Sequence, residues 1–522
     1  MGKRAAVLFV LLTGLVGVVT PNARAAEPRP GFTDISERSG VWAIVADHYK
    51  RVPQWWLSGM TLVDLDGDGD LDLHLAGHGS PAVAAFNDGT GTFTGVDPKL
   101  DIPRGIREKN DLPYPGGEIR LVYDVNEDGK PDIFCSWHDG GGVTYLNDCR
   151  PGKRPAWNFK VYDPGFNCFS RAVAMVDLNR DGIADYLATG DRKEGRLWIA
   201  YGQGGGKWKR AASVPVMSES GAVPADLDGD GDLDLLVSRR GYHPPGRQIL
   251  LNDGKQKFTD ATARAGLKAE AGSIHGFGDV NQDGRLDLIC VEGRDVALYL
   301  NGGGGRFTRG PEVAGVKKLR IGPRSANWGG AIATDVDNDG VADVLINGKY
   351  FLYVLRGRGG GRLELVNAAW GLPSSVPQAV DEGLCFGDID ADGDLDVVTY
   401  GASPVPKKRG VGVFRNDLPA RRWVRVRLIG AKGNRAAAGA VIRLSEAGSA
   451  GVPGKLVWYE QVAIWGRQSF HSYYFHAATE RHFGLGGRDT VDVRVTFHPS
   501  GKRVEHKGVK ANTVVEVREV TP

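Results

Sequence analysis

The stretch Asp64–Asp72 reads DLDGDGDLD, and the same arrangement of acidic residues around one glycine returns six more times along the chain. All seven copies fit the pattern D-x-[DN]-x-D-G-x-x-D, and successive copies begin 49 to 60 residues apart. So regular a repeat predicts one structural unit used seven times. The other six copies are DVNEDGKPD from Asp124, DLNRDGIAD from Asp177, DLDGDGDLD from Asp226, DVNQDGRLD from Asp279, DVDNDGVAD from Asp335 and DIDADGDLD from Asp388.

The residues around each motif predict short β-strands. An apolar segment follows every motif, and most repeats then reach an Asn or Gly turn and a Phe-Thr segment, as in LNDGKQKF at Leu251–Phe258. That gives three to four strands with turns between them in each repeat. The sequence therefore predicts an all-β fold with a seven-bladed β-propeller over residues 26–420. A linear solenoid is the alternative.

The two ends of the repeat array are complementary. The seventh repeat ends at VFRND (Val413–Asp417) and lacks a Phe-Thr segment, whereas GFTDISERSG (Gly31–Gly40) carries one outside any repeat. We therefore predict that the N-terminal strand completes the seventh blade and closes the propeller. Closure removes edge strands that would otherwise template aggregation.

Residues 421–522 form a second region with a different charge. From Ala26 to Ala420 there are 45 Lys and Arg against 55 Asp and Glu, and from Arg421 onward 17 against 8. Segments such as WVRVRL and VDVRVTF alternate apolar and polar residues, which predicts a small β-sandwich or barrel. Its basic surface could bind an acidic polysaccharide or dock on the acidic repeats. The net charge of +2 on the whole chain indicates no nucleic-acid partner.

The acidic motifs predict a calcium site in each repeat. Oxygen ligands at positions 1, 3 and 5 of a loop turned by a glycine at position 6 can converge on one hard cation, and Asp at position 9 with the carbonyl of position 7 can complete the cage. Aspartates that only cap turns are the alternative. The predicted ligands are Asp64, Asp66, Asp68, Asp70 and Asp72; Asp124, Asn126, Asp128, Lys130 and Asp132; Asp177, Asn179, Asp181, Ile183 and Asp185; Asp226, Asp228, Asp230, Asp232 and Asp234; Asp279, Asn281, Asp283, Arg285 and Asp287; Asp335, Asp337, Asp339, Val341 and Asp343; and Asp388, Asp390, Asp392, Asp394 and Asp396.

These loops are not EF-hands, because position 12 carries no acidic residue in any of them. The seven motifs hold 29 of the 63 acidic residues, a density of like charge that cations would neutralise. Up to seven structural Ca²⁺ ions are predicted.

The first 25 residues have the pattern of a secretory signal peptide. Lys3 and Arg4 precede the apolar run Ala5–Val19, and Ala23-Arg24-Ala25 provides a small-x-small cleavage site. A membrane anchor is the alternative, but the apolar run is shorter than the ~20 residues that a span needs. We expect a secreted protein, extracellular or periplasmic, without a membrane span.

The five cysteines do not suggest a disulfide framework. Cys149 and Cys168 lie in loop-like contexts and are the best candidate pair. Cys135, Cys290 and Cys385 lie in apolar strands and are expected to be small buried side chains.

No catalytic motif such as G-x-S-x-G, H-E-x-x-H or a Walker loop occurs in the sequence. The residues six positions before each motif should form a ring at one mouth of the propeller channel. Among them and close by, the charged or titratable residues are Glu118, Arg171, His275 and Glu382. A solvated rim is the expected role of these residues, and an acid/base site is the alternative.

The chain resembles a known combination of domains. The acidic repeats resemble FG-GAP/VCBS repeats, the units of the integrin α-subunit propeller, over roughly residues 31–417. Residues 421–522 resemble the ASPIC/UnbV domain of cartilage acidic protein-like secreted proteins, through WVRVRLIGAKGNRAAAGAVIRL at Trp423–Leu444, HFGLGG at His482–Gly487 and VDVRVTFHPSGK from Val491. Phe497 and His498 stand where that family usually has Trp before Pro-Ser-Gly. The resemblance implies calcium binding and adhesion-like or matrix roles, but no defined reaction.

From these features the sequence predicts a calcium-binding scaffold for an extracellular polysaccharide or protein. The alternative is a propeller-type polysaccharide lyase or hydrolase with its site at the channel mouth.

Overall fold

The structure is a computed structural model, and it describes most of the chain from residue 31 to residue 519. The described ranges are 31–51, 56–78, 82–96, 119–136, 142–147, 160–162, 172–189, 195–217, 220–239, 244–255, 257–293, 295–316, 330–348, 351–373, 381–402, 411–452, 454–467 and 480–519. Within these ranges the chain forms 36 strands and one α-helix.

Seven small antiparallel sheets each contain one acidic motif within the described ranges. The first has β2 (Trp56–Val63), β3 (Asp72–His78), β4 (Val83–Asn87) and β5 (Phe93–Val96). The second has β6 (Ile119–Tyr123), β7 (Asp132–Ser136), β8 (Gly142–Leu146) and β9 (Lys160–Tyr162). The third has β10 (Ala172–Val176), β11 (Asp185–Thr189), β12 (Arg196–Gly202) and β13 (Trp208–Pro215), and the fourth has β14 (Ser220–Ala225), β15 (Asp234–Arg239), β16 (Arg247–Asn252) and β17 (Phe258–Asp260).

The remaining repeats continue the pattern. The fifth sheet has β18 (Ser273–Gly278), β19 (Asp287–Glu292), β20 (Asp295–Asn301) and β21 (Phe307–Arg309). The sixth has β22 (Ala331–Thr334), β23 (Asp343–Gly348), β24 (Phe351–Gly357) and β25 (Leu363–Leu365). The seventh has β26 (Asp381–Gly387), β27 (Asp396–Ala402) and β28 (Val411–Asn416), and its fourth strand is β1 (Phe32–Asp34) from the start of the described chain.

The pairing of β1 with β28 agrees with the sequence prediction. Phe32 pairs with Asn416 and Asp34 with Phe414, in antiparallel register. The first strands of neighbouring sheets contact each other in the pairs β2 and β6, β6 and β10, β10 and β14, and β18 and β22. Contacts of β15 with β18 and of β23 with β26 continue the series, and β26 contacts β2.

Helix α1 (Val41–Arg51) was not expected in an all-β fold. It forms because the apolar residues of VWAIVADHYKR recur at helical spacing, which places Val41 and Val45 on the buried face of the helix. The helix contacts β4, β5 and β28, and the Trp42 indole N–H donates a hydrogen bond to the Val411 carbonyl (2.6 Å). Helix α1 therefore fastens the first sheet to the seventh.

His48 on this helix gives a prediction about acid stability. Burial lowers the pKa of His48 to about 4, so the folded protein keeps the ring neutral below its usual pKa of 6.5. As the pH falls, His48 takes up a proton in the unfolded chain before it does so in the folded protein. The free energy of unfolding therefore decreases as the pH falls from about 6.5 towards 4. At pH 5 the loss is about 2 kcal/mol. Thermal melts of wild type and His48→Leu at pH 7.5 and 5 should show a steeper loss in the wild type, and parallel losses would contradict the prediction.

The C-terminal region folds into two further sheets and one strand that joins the repeats. One sheet holds β29 (Arg422–Ile429), β33 (Glu480–Gly486) and β36 (Thr513–Arg518), and the other β30 (Val441–Glu446), β31 (Leu456–Gln461), β34 (Thr490–Thr496) and β35 (Arg503–Lys510). Buried Val424, Ile442, Phe483 and Val493 lie in their shared core. Strand β32 (Ile464–Arg467) instead pairs with β10 and becomes the fifth strand of the third repeat sheet. In the described part of the chain, no helix is long and apolar enough to cross a membrane.

Candidate metal centres on the acidic loops

Each acidic motif forms the turn between the first and second strands of its sheet. Its first Asp follows the first strand directly, and its ninth residue opens the second. The loops share one backbone conformation, because position 4 has a φ of 54° to 85° and position 6 a φ of 84° to 103° in all seven. A left-handed φ favours glycine, which explains the invariant glycine at position 6. Position 4 is occupied by Gly67, Glu127, Arg180, Gly229, Gln282, Asn338 and Ala391.

The aspartate at position 9 is part of the fold as well as of the loop. It is completely buried in every repeat. Its Oδ2 accepts the backbone N–H of position 2 at 2.8 to 3.0 Å. Its Oδ1 accepts the N–H at the end of the third strand at 2.7 to 3.0 Å. The carboxylate therefore links the start of the second strand to the acidic loop and to the end of the third strand. These residues are Asp72, Asp132, Asp185, Asp234, Asp287, Asp343 and Asp396.

The aspartates at positions 1 and 5 are held by backbone N–H groups. Position 1 accepts the N–H of the position 6 glycine at 2.7 to 3.1 Å. Position 5 accepts the N–H of position 7 at 2.8 to 3.1 Å. These bonds fold the loop back on itself and turn its carboxylates towards one another.

In four loops, three carboxylates come close enough to hold one ion. Within each of these groups, one oxygen from each residue lies within 4.8 Å of the others. All four loops have Asp at position 3. The groups are Asp64, Asp66 and Asp72; Asp226, Asp228 and Asp230; Asp335, Asp337 and Asp339; and Asp388, Asp390 and Asp396.

Burial and mutual repulsion make these carboxylates hard to ionise without a cation. Burial, reinforced by neighbouring carboxylates, raises the pKa of Asp72 to about 8 and that of Asp234 to about 7, although backbone N–H groups oppose the shift. Burial also raises the pKa of Asp226 to about 6. Oxygen donors crowded in this way fit a hard divalent cation, which would favour the ionised form.

The loops with Asn at position 3 differ in charge and in contacts. In the second, third and fifth loops the Asn amide donates to the position 5 carboxylate at 2.9 to 3.1 Å. Its oxygen accepts the N–H of position 5 at 3.0 to 3.1 Å. Each of these loops therefore has one carboxylate fewer than the loops with Asp at position 3, and its position 5 carboxylate already accepts a hydrogen bond from the Asn amide.

We expect these Asn loops to bind calcium more weakly, since ligand charge tunes affinity. Calorimetric titration should therefore show at least two classes of site. Asn179→Asp should move the third loop from the weaker class to the stronger, while Asn512→Asp should not, because exposed Asn512 lies outside the loops and its side-chain oxygen accepts the Trp423 N–H (3.2 Å), as a carboxylate also can. An unchanged isotherm for Asn179→Asp would contradict this expectation.

The C-terminal region covers the face that carries the loops, so the basic domain does dock on the acidic repeats. Contacts reach the third to the seventh loops. They are the Ala184 N–H to the Gly433 carbonyl (3.0 Å), His498 Nε2 to the Asp177 carbonyl (2.8 Å), the Asp226 N–H to Gln461 Oε1 (2.8 Å), Gln282 Nε2 to the Val457 carbonyl (2.9 Å), His482 Nε2 to Asn338 Oδ1 (2.7 Å) and an Arg425 ion pair with Asp388.

A small cavity of about 90 Å³ lies between the first strands and this domain. Glu460 and Arg481 line it and form an ion pair of 2.8 Å. Burial raises the pKa of Glu460 and lowers that of Arg481. The charge of each residue opposes the pKa shift of its partner. Asp279 and Thr334 from the repeats, and Gln461 and His482 from the C-terminal region, also line it.

The structure describes only part of the predicted channel ring. Glu118 and Arg171 lie outside the described residues. His275 and Glu382 lie near the starts of β18 and β26, the ends opposite the acidic loops, but their side chains are not described. An acid/base role for the four residues stays a prediction.

The cysteines are described in part. Cys290 and Cys385 are buried free thiols, as expected from their apolar strands. Cys135 lies in β7, although its side chain is not described, and the pair Cys149 and Cys168 lies outside the described residues.

Sequence reasoning missed two groups of residues at this site. One is the set at position 4, several of whose longer side chains contact the C-terminal region. Arg180, for example, donates to the Pro499 carbonyl (3.4 Å). The other is a pair of arginines, Arg356 and Arg415, at the ends of β24 and β28. A comparison of the third-strand ends would have found them, because the other repeats have an apolar or aromatic residue there.

The fold and these loops define a β-propeller built from acidic repeats. The chain belongs to the FG-GAP-like repeat family, whose model matches residues 124–188, 177–237, 226–290, 279–346 and 335–399, and residues 430–521 match the ASPIC and UnbV model. Cartilage acidic protein 1 of Mus musculus is 25% identical over 567 residues, covering 96% of this chain and 78% of that protein. Cartilage acidic protein 1 of Homo sapiens is 25% identical over 289 residues, covering 50% of this chain but only 41% of that protein.

Solved structures resemble the fold loosely. An Agrocybe aegerita lectin that recognises non-reducing terminal N-acetylglucosamine gives a TM-score of 0.40 at 17% identity, over 69% of this chain and 95% of that one. The SapL1 lectin in complex with alpha methyl fucoside gives 0.34 at 13% identity, over 63% and 99%.

Proposed function

We propose that this protein is a secreted, calcium-stabilised, seven-bladed β-propeller that acts as a scaffold for binding an extracellular polysaccharide or protein. The observation that carries the proposal is the set of seven acidic loops with one backbone conformation. In four of these loops, three carboxylate oxygens converge at the turn between the first and second strands. The pattern of the first 25 residues supports export.

A closed ring of blades is part of the proposal. The Asn at the end of several third strands donates its side-chain N–H to the position 2 carbonyl of the preceding repeat, as Asn147 does to Leu65 (2.9 Å) and Asn301 to Leu227 (2.9 Å). Asn87 of the first sheet makes the same bond to Ile389 of the seventh (2.7 Å). The first and last repeats therefore meet through the same contact as consecutive repeats, which supports closure.

The covered face suggests where a ligand binds. The C-terminal domain occupies the acidic-loop end, and β32 runs along the first strand of the third sheet. A ligand of the propeller would therefore approach the opposite mouth, where Ser220 and Ser273 begin β14 and β18. The calcium ions in this proposal are structural and lie away from the ligand.

A glycan array probed with the exported protein, in calcium and in EDTA, tests the scaffold. We expect binding in calcium that is lost or reduced in EDTA, and no cleavage in a parallel screen of polysaccharide degradation. Cleavage products that accumulate with time would favour the lyase or hydrolase instead. A mature protein found only inside the producing cell would contradict export.

A further inference from the structure

The residue at the end of the third strand differs between the repeats. It precedes the Asn or Gly whose N–H binds the position 9 carboxylate. In the first five repeats this residue is apolar or aromatic: Phe86, Leu146, Tyr201, Leu251 and Leu300. In the sixth and seventh repeats it is an arginine, Arg356 and Arg415. Two of the seven loops therefore have an arginine from the third strand beside them, whereas in the fifth loop Arg285 of the motif itself, with its side chain 45% exposed, pairs with Asp283 (2.5 Å).

Arg356 binds the carboxylates that would hold a cation in the sixth loop. Its Nη2 lies 2.6 Å from Asp337 Oδ2 and 2.8 Å from Asp339 Oδ2, at positions 3 and 5. Arg421 Nη1, at the start of the C-terminal domain, lies 3.4 and 3.6 Å from the same two side chains. Two guanidinium groups thus face two carboxylates, and such charge-assisted pairs are strong.

The seventh loop is also neutralised by arginines. Arg425 from β29 donates to Asp388, at position 1, whose side chain is only 2% exposed. Arg415 pairs mainly with Asp417 (2.6 Å), outside the motif, and its Nε lies 3.9 Å from Asp390 Oδ2, at position 3. Trp423 packs directly against the position 6 glycine, Gly393. The guanidinium carbon of Arg425 lies 4.6 Å from the centroid of the Trp423 ring. The C-terminal domain therefore places the positive charge of Arg425 against this loop.

We infer that the sixth and seventh acidic loops are ion-pair sockets for the C-terminal domain and not calcium sites. A calcium ion entering the sixth loop would have to displace Arg356 and Arg421, which would leave their charges without these partners. In the first and fourth loops the residues equivalent to Arg356 are Phe86 and Leu251, which offer no charge to compete. The inference rests on the proposed calcium binding and reduces its capacity from seven ions to five.

The first experiment counts bound calcium. Wild type, the double variant Arg356→Leu/Arg421→Gln and the control Arg358→Leu are saturated with calcium, and the ions per chain are measured by titration calorimetry and elemental analysis. Arg358 is a suitable control because it is next but one to Arg356 and pairs with exposed Glu364 (2.7 Å). We expect the double variant to bind one more ion than wild type and the control to bind the same number. An equal count in wild type and the double variant, or seven ions in wild type, would overturn the inference.

The second experiment tests docking without calcium. In EDTA, Arg421→Glu/Arg425→Glu should accelerate proteolytic release of the C-terminal domain about tenfold, because like charges would then meet in the sockets. Arg494→Glu is the control, since Arg494 pairs with Glu505 inside the C-terminal domain (3.0 Å) and contacts neither socket. An unchanged release rate in the double variant would overturn the socket role. A wild type that binds no calcium while the sockets respond as expected would instead remove the proposed calcium function alone.

Discussion

Removal of calcium is expected to lower the melting temperature of this protein by roughly 10 °C or more. Ions that bind only the folded form stabilise it by about 2.7 kcal/mol per site when free calcium is a hundred times the dissociation constant. Five such sites sum to on the order of 10 kcal/mol. Calorimetric melts in millimolar calcium and in EDTA measure the difference. Because β32 pairs with β10, we expect the repeats and the C-terminal domain to melt together.

The controls for this melt are re-addition of calcium and replacement by magnesium. Calcium should restore the original curve, whereas magnesium, which requires tighter octahedral geometry, should restore it only in part. If the curve were the same in EDTA and elemental analysis found well under one calcium per chain, the calcium hypothesis would be wrong.

Asp234→Ala should destabilise the fold with or without calcium, whereas Asp228→Ala should do so only with calcium present. Asp234 is completely buried and accepts the N–H groups of Leu227 (2.9 Å) and Asn252 (2.8 Å). Its loss leaves two buried donors unsatisfied, at about 1–3 kcal/mol each. Asp228 lies at position 3 and contributes mainly to the oxygen cluster of the fourth loop.

Melts of both variants in calcium and in EDTA separate the two roles. In EDTA, Asp228→Ala should melt close to wild type, and Asp234→Ala well below it. Asp253→Ala provides a control in the same sheet, because that exposed aspartate bonds its own turn, through the backbone N–H groups of Lys255 (2.9 Å) and Lys257 (3.1 Å). Equal losses for Asp228→Ala and Asp234→Ala in EDTA would show that position 9 has no separate structural role.

The repeats could be predicted from the sequence because their determinants are local. A glycine at position 6 and aspartates at positions 1 and 9 dictate one turn, and the strands that flank it follow from alternation and turn residues. The match of GFTDISERSG to the missing segment also located the partner of β28. These signals lie within a few residues of the structure that they specify.

The rest depends on contacts between distant parts of the chain. Nothing in the local sequence of Ile464–Arg467 distinguishes a strand of the C-terminal sheets from one that pairs with β10. Helix α1 has apolar residues at helical spacing, but so short a helix needs its packing against β4, β5 and the distant β28 to be stable. Arg356 and Arg421 are 65 positions apart, and only the fold shows that both face Asp337.

The pairing of β1 with β28 has a consequence for how the chain folds. Thr33 and Asp417, whose side chains meet at this junction, are 384 positions apart. At synthesis rates of about 5–20 residues per second, the start of the chain waits roughly 20–80 seconds for its partner to be made. Contacts between such distant segments also form slowly after synthesis. During this interval six repeats can assemble while the segment containing Phe32 stays unpaired, so the first strand to be translated is among the last to be incorporated.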